Sequence, residues 1–472
     1  MMRSMSAGVS GLRVHQTKMD VIANNISNIN TIGFKRASVS FKDSFSQTLS
    51  SASAANADRG GINPQQIGMG ANVAAIVNVM KQGGASRTDY GSDLMIDGEG
   101  FFIVKDATGF SFTRAGAFEV DAKGNLVDPN GFNVCGWKAV DDPDNPGQQK
   151  IVKDTVTPIN IYEGNNLYAP AEKTTSIEFT GNFNQTTNKS QKNTISFYDS
   201  QGNKYVMNIQ FDKDDAFAPA PPENNSSWNV SMPGVILPGG AVPGPGQQAT
   251  HLEVTVNGKD KVYLPVGDLN VEGTSLRFGE DGKLTSVDGG ITNGEKGFIL
   301  PDINLGNLVT SDGTTPANIT GETLSNINVD FSTVTQFNSK ADVTSNAKDG
   351  NTAGNMSGYN IDANGIIRGT YTNGRTKILA QIPLANFKNP AGLEKFGNNL
   401  YKETGNSSEF DGIGFEASAI GSKFQGGALE MSNVDLSFEF SEMITTQRGF
   451  QANSRIITTS DEMIQELVNL KR

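Results

Sequence analysis

One cysteine, two histidines and two tryptophans in 472 residues leave little from which to build a reactive centre. The lone thiol, Cys135, excludes an internal disulfide and has no neighbouring histidine to make it a nucleophile. His15 falls on a helical stretch and His251 at a strand entrance, both read as surface residues too far apart to share a site. Asp142, Asp144 and Gly147 imitate the start of a calcium loop, but Pro146 stands where a ligand belongs and Lys153 replaces the closing glutamate. Gly98 and Gly100 in DGEGFF lack the third glycine and following helix of a dinucleotide fingerprint, so they read as a turn before a strand. No catalytic residue, metal site or cofactor is expected, and the chain is not read as an enzyme.

Positive charge is also scarce. With 38 Lys and Arg against 50 Asp and Glu, the net charge is −12. No basic cluster is available to displace counterions, which argues against a nucleic-acid partner. No run of eighteen apolar residues exists, so no membrane span is expected. Arg3, His15, Gln16 and Lys18 interrupt anything resembling a secretory core, and the residues alone point to the cytosol. What is abundant is turn chemistry: 53 glycines, with only 19% charged residues, describe a mainly β protein of two to four domains.

The two ends depart from that pattern. From Ser432 the sequence SNVDLSFEFSEMITTQRGFQANSRIITTSDEMIQELVNLKR has no proline and one glycine, and reads as a long helix. Leu436, Met443, Phe450, Ile457 and Ile464 recur every seven residues, widened by Leu467, while the companion row reads Glu439, Thr446, Asn453 and Ser460. A helix of about 38 residues would run about 57 Å and needs partners along its length. Met5, Leu12, Met19 and Ile26 repeat the spacing near the start, flanked by Val9 and Ile22, before Asn28, Asn30 and Gly33 end the helix. Ordinary helix packing inside one globule is the bland reading. The alternative is that the ends pair and seek burial in other copies.

These ends resemble a known family. The C-terminal stretch and the N-terminal SGLRVHQTKMDVIANNISNINTIGFKR are similar to the termini of bacterial flagellar axial proteins, specifically flagellar hook proteins. DLMIDGEGFFIV (Asp93 to Val104), FTRAGAFEVDAKGNLVDPNGFNVCGW (Phe112 to Trp137), IPLANFKNPAGLEKFGNNLYKET (Ile382 to Thr404) and GALEMSNVDL (Gly427 to Leu436) extend the likeness inward. Distal rod proteins share these segments in kind, but that class lacks most of the residues between Lys150 and Asn360. The resemblance implies a subunit of a helical homopolymer, a curved flexible tube that carries torque from rod to filament. It further implies export through a type III channel without a cleaved signal peptide. The implied partners are other copies of the chain, the hook cap, the distal rod, the hook–filament junction proteins and the export machinery, and the implied location is the extracellular flagellum. A rigid rod protein and a secreted β-rich adhesin are the alternatives.

The expected fold is mixed and mainly β, with multi-domain outer β domains, sandwich-like or barrel-like, on a coiled-coil-like core of paired N- and C-terminal helices. Residues 1–31 with 433–472 form the helical core, and 32–71, small and polar, an extended connector. Residues 72–150 with 361–432 make a first, discontinuous β domain beginning at Gly70 to Met80, broken at the turn-rich DDPDNPGQQK. Residues 151–360 form an inserted outer β domain. Within it Ile195 and Phe197, then Tyr205 to Phe211, alternate as a hairpin, while Asp212 to Gln248 is too rich in proline and glycine for a sheet centre and reads as a long exposed loop. An acid or glycine, two spacers, glycine, one spacer and an aliphatic recur at Asp121, Gly279 and Asp362, a repeated hairpin turn. The expected intersubunit packing residues are Met5, Val9, Leu12, Met19, Ile22, Ile26, Leu436, Met443, Phe450, Ile457, Ile464 and Leu467. Some spirochaete hooks join a cysteine to a neighbouring subunit's lysine as lysinoalanine, and by that resemblance Cys135 is a crosslink candidate. An inert buried thiol is the simpler reading.

Overall fold

One turn, used repeatedly, explains much of the β architecture. At Asp121 a single carboxylate oxygen accepts the N–H groups of Lys123 and Asn125, at 2.9 and 2.7 Å, while Gly124 takes a φ of 87°. Glycine reverses the chain there without a Cβ clash, and the aspartate satisfies two donors that the tight loop leaves unpaired. Asp362 repeats the arrangement with Asn364 and Ile366. Asp128 and Asp199 do too, which the spacing rule did not single out. At Gly279 the loop closes without a leading aspartate, through Gly282 N–H to the Gly279 carbonyl.

The computed structural model describes residues 2–54, 59–142, 149–186, 190–214, 226–237, 243, 248–266, 274–288, 291–292, 296–317 and 321–470. The chain divides into two compact units: Met1–Asn166 with Gly358–Thr370 and Thr376–Arg472, and Leu167–Ser357 with Tyr371–Arg375.

The first unit holds both terminal helices, α1 (Met2–Ser27) and α2 (Leu436–Asn469). The expected extended connector is instead a two-stranded arm. Ala37–Asp43 pairs antiparallel with Ala71–Asn78, and Ser46–Ser50 with Gln65–Gly68. Small polar side chains give the arm no core, but backbone pairing satisfies its polar groups. The stretch from Gly70, expected to open the β domain, is therefore the arm's returning strand. Beyond it lies a sheet ordered Ile366–Tyr371, Thr376–Gln381, Asn133–Asp141, Phe101–Asp106, Gly109–Thr113, Leu400–Lys402 and Glu394–Gly397, interleaving two distant stretches of chain. Phe101, Ile103, Phe112, Trp137, Phe387 and Tyr401 fill its core. Gln149–Ile151 and Thr157–Pro158 both pair with the Asn133–Asp141 strand. The break thus falls after Asn166 and not at DDPDNPGQQK, whose residues 143–148, with Asp144, Pro146 and Gly147 of the imitation calcium loop, lie outside the described residues.

The second unit packs two sheets over one core rich in aromatic side chains, among them Phe179, Phe183, Phe211, Trp228 and Phe331. Gln191–Tyr198 and Lys204–Lys213 form the expected hairpin. Ser176–Asn184 and Ile327–Phe337 run parallel, a pairing that needs the long crossover between them. The expected exposed loop from Asp212 to Gln248 is interrupted by a central strand. Ser226–Ser231 pairs with Lys204–Lys213 on one side and Thr274–Phe278 on the other, with Trp228 0% exposed. Proline and glycine on both flanks hid a six-residue segment with tryptophan and valine on its buried face. Residues 215–225, 238–242 and 244–247 of that stretch lie outside the described residues.

Candidate assembly surface at the paired termini

Asp435 caps α2, its carboxylate accepting from the Ser437 and Phe438 N–H groups at 2.8 and 3.2 Å. The helices lie antiparallel within one chain. Ser4 Oγ meets Ser460 Oγ at 3.4 Å, and Lys18 pairs with Glu442. Small residues set the approach: a Cβ built on Gly11 would lie 2.7 Å from Asn453 Nδ2, and one on Gly449 would lie 2.8 Å from the His15 ring. Side chains of this size let helix axes come close together.

That contact corrects the expected seam. Glu439, Thr446 and Ser460, read as polar interruptions of an apolar stripe, are 2, 2 and 3% exposed. The apolar rows flank the contact. Ile22 is buried; Met5, Leu12, Met19, Ile26, Met443, Phe450, Ile457 and Ile464 are half-buried; Val9, Leu436 and Leu467 are exposed. Leu436, Phe440 and Ile444 form one uncovered stripe, and Ile456, Met463, Leu467 and Leu470 another. Phe440 and Ile456 are sixteen residues apart, so at 100° per residue the two stripes point about 160° apart around the helix.

His15 is half-buried. Its ring packs edge-on against Phe41, 6.1 Å between centroids, and its Nδ1 is buried without a hydrogen-bond partner among the described residues. Burial holds its pKa below the usual 6.5, and the Lys18 charge pushes the same way. His251 lies on the strand His251–Val256, its Nδ1 3.0 Å from Thr250 Oγ1.

The roots of the helices meet at a buried charge cluster that no local pattern announces. Glu430, 0% exposed, receives Lys35 Nζ at 2.5 Å, Arg114 Nη1 at 3.4 Å and the Gly83 N–H at 2.9 Å. Lys35 also reaches the Lys81 carbonyl, Arg114 the Gly98 carbonyl, and the Arg114 guanidinium lies over the Phe101 ring. Desolvation pushes both cations' pKa values down, and Glu430 opposes it. Asn433 ties the same junction, accepting from Arg36 N–H and donating to the Val79 and Lys81 carbonyls. The first α2 turn is held by Arg36, which pairs with Glu439 at 3.4 Å and lies over the Phe438 ring.

Between α1, the arm and α2 lies an open groove of about 500 Å³, lined by Met5, Val9, Val73 and Ile457, with Arg13 also in the wall. Cys135 is far less accessible. It sits 0% exposed among Phe101, Phe112, Trp137 and Phe387, and burial pushes its thiol up to about 12. Within the single chain the thiol is protonated and covered on all sides. Among the described residues no group of acidic, histidine or cysteine side chains is placed to hold a metal ion, and no helix is long and apolar enough to cross a membrane.

Four family models match the chain. They are the flagella basal body rod protein over residues 5–35, the flagellar hook protein FlgE/F/G D1 domain over 95–183, the flagellar basal body protein FlaE D2 domain over 166–351, and the flagellar basal body rod FlgEFG protein C-terminal region over 425–470. The flagellar hook protein FlgE of Borreliella burgdorferi is 37% identical, and that of Treponema pallidum 34%, each match spanning 100% of both chains. FlgE of Salmonella typhimurium is 30% identical over 99% of this chain and 100% of its own.

Proposed function

The chain belongs to the flagellar hook protein family and is a structural subunit of the flagellar hook, and from that premise we propose that α1 and α2 are completed by neighbouring copies. The observation that carries this reading is a seam rich in small and polar residues: within one chain the helices meet largely through glycine, serine, threonine and asparagine beside the Lys18–Glu442 pair, with Ile457 reaching Gly8, while most of their apolar rows stay half covered. Apolar surface left at a water boundary is the driving force that association then uses. Met5, Val9, Leu12, Met19, Ile22, Ile26, Leu436, Met443, Phe450, Ile457, Ile464 and Leu467 are the residues proposed to pack between subunits. The hook proteins of Borreliella burgdorferi, Treponema pallidum and Salmonella typhimurium match at 30 to 37% identity over essentially the whole chain, and residues 166–351 match the D2 domain, which supports the hook over the rod.

We further propose a domain organisation in which the helical core anchors the polymer, the 37–78 arm serves as the linking segment, and the β domains supply polar surfaces that slide as the curved tube turns. The hook cap, distal rod, junction proteins and export machinery are the proposed partners, with delivery through the export channel to the extracellular hook. The proposed role is mechanical, not enzymatic. Introducing Met19→Asp with Phe450→Asp tests the reading by electron microscopy of the polymer. Tubes should fail to form while the monomer's β-sheet circular dichroism is retained. Normal tubes from this variant would overturn it.

A further inference from the structure

The last described turns of α2 run beyond their partner. Among the described residues the interhelical hydrogen bond nearest the end of α2 joins Ser4 to Ser460, and from Asp461 to Leu470 every residue except Ile464 is exposed. Met463, Leu467 and Leu470, at 48, 52 and 81% exposure, fall on one face. Glu462 and Glu466 each precede an apolar member of that face, so a carboxylate flanks it at about 100°. The tail is acidic and greasy.

The groove beside α1 has the opposite character. Met5, Val9, Val73 and Ile457 give it an apolar wall, and Arg13 is in its lining. α1 carries Arg3, Arg13 and Lys18 against a single acid, Asp20. Arg13, Glu462 and Glu466 form no salt bridge among the described residues. The tail cannot fill the groove of its own chain, because α2 passes Ile457 and continues away as unbroken helix to Asn469.

We propose that the 461–470 tail of one copy docks in the α1 groove of a second copy, with Met463 and Leu467 against Val9 and Val73 and Glu466 facing Arg13. Tail and groove are different surfaces, so the contact is head-to-tail and can extend along a helical polymer instead of ending at a symmetric dimer. Charge complementarity sets the direction and register. The proposal rests on the reading that hook subunits polymerise through their termini, and names one contact of that lattice.

The buried Cys135 leaves the surface free of competing thiols for a direct test. Full-length Val9→Cys and Leu467→Cys subunits are assembled together and treated with a mild oxidant. The expected result is covalent dimers on a non-reducing gel from the mixture, absent from tubes of either variant alone and lost on reduction. Mixed tubes without dimers would overturn the docking while leaving terminal-helix assembly intact. A second measurement covers variants that assemble poorly: Arg13→Glu and Glu466→Arg should each raise the critical concentration for assembly about tenfold, and together return it to within about threefold of the parent. Single reversals without effect, or a double variant no better than the singles, would also overturn it.

Discussion

Replacing Glu430 with alanine removes the one carboxylate that faces two buried cations. Lys35 Nζ, 2.5 Å away, and Arg114 Nη1, at 3.4 Å, are 1 and 5% exposed, and among the described residues neither has a second acid in a salt bridge. A buried pair gains little over a well-packed apolar substitute, but breaking one partner leaves a charge that neither water nor protein compensates, at about 3–5 kcal/mol. The Gly83 N–H loses its acceptor as well, although that term overlaps the first and does not simply add. At 2–4 °C per kcal/mol for a unit of this size, the transition of the first unit should fall by roughly 10 °C in calorimetry of the monomer. Replacing all three charges, Lys35→Met with Glu430→Leu and Arg114→Met, should recover most of that loss because no lone charge remains. The reasoning fails if Glu430→Ala stays within about 1 kcal/mol of the parent, or if the triple variant is less stable than the single one.

His15 gives a pH effect whose sign follows from its burial. With the folded pKa held below 6.5, the unfolded chain binds more protons between the two values, so stability is full above about 6.5 and is lost as pH falls through the folded pKa. Thermal melts at pH 7.5 and 5 should show the drop, and His15→Gln should flatten it. Cys135, with its thiol at about 12, should resist alkylation at pH 8 in native protein and react fully in denaturant; fast labelling of native chains would contradict its placement. Trp228 stacks on Phe183 at 5.0 Å in the second unit's core, so Trp228→Ala should cost about 3–5 kcal/mol by urea titration. Trp228→Phe should cost clearly less, since the indole N–H it removes has no hydrogen-bond partner among the described residues.

The strands were largely readable because period-two alternation and Asp-Gly turns are local signals, as at Tyr205 to Phe211. Signals spread over hundreds of residues were not. Lys35 and Glu430 are 395 positions apart, and no periodicity joins them. The arm from Ala37 to Asn78 escaped for another reason: its small, polar side chains carry no burial pattern, and only backbone pairing reveals it. The helices themselves show what a heptad can and cannot say. Seven-residue spacing told which residues share a face, but not which face meets the neighbour. The telling signal lay in small residues set among polar ones: Ser4, Gly8 and Gly11, continued by His15 and Lys18, step by four and three along α1, and Glu442, Thr446, Gly449, Asn453 and Ser460 follow a matching course along α2. Had the rows of Met19 and Phe450 formed that seam, the monomer would have satisfied its own apolar surface and met its neighbours with polar faces. By using mostly small and polar residues for the internal contact, the chain keeps most of its hydrophobic rows for contacts outside itself, which is the arrangement a subunit needs if its helices are to be finished only in a lattice.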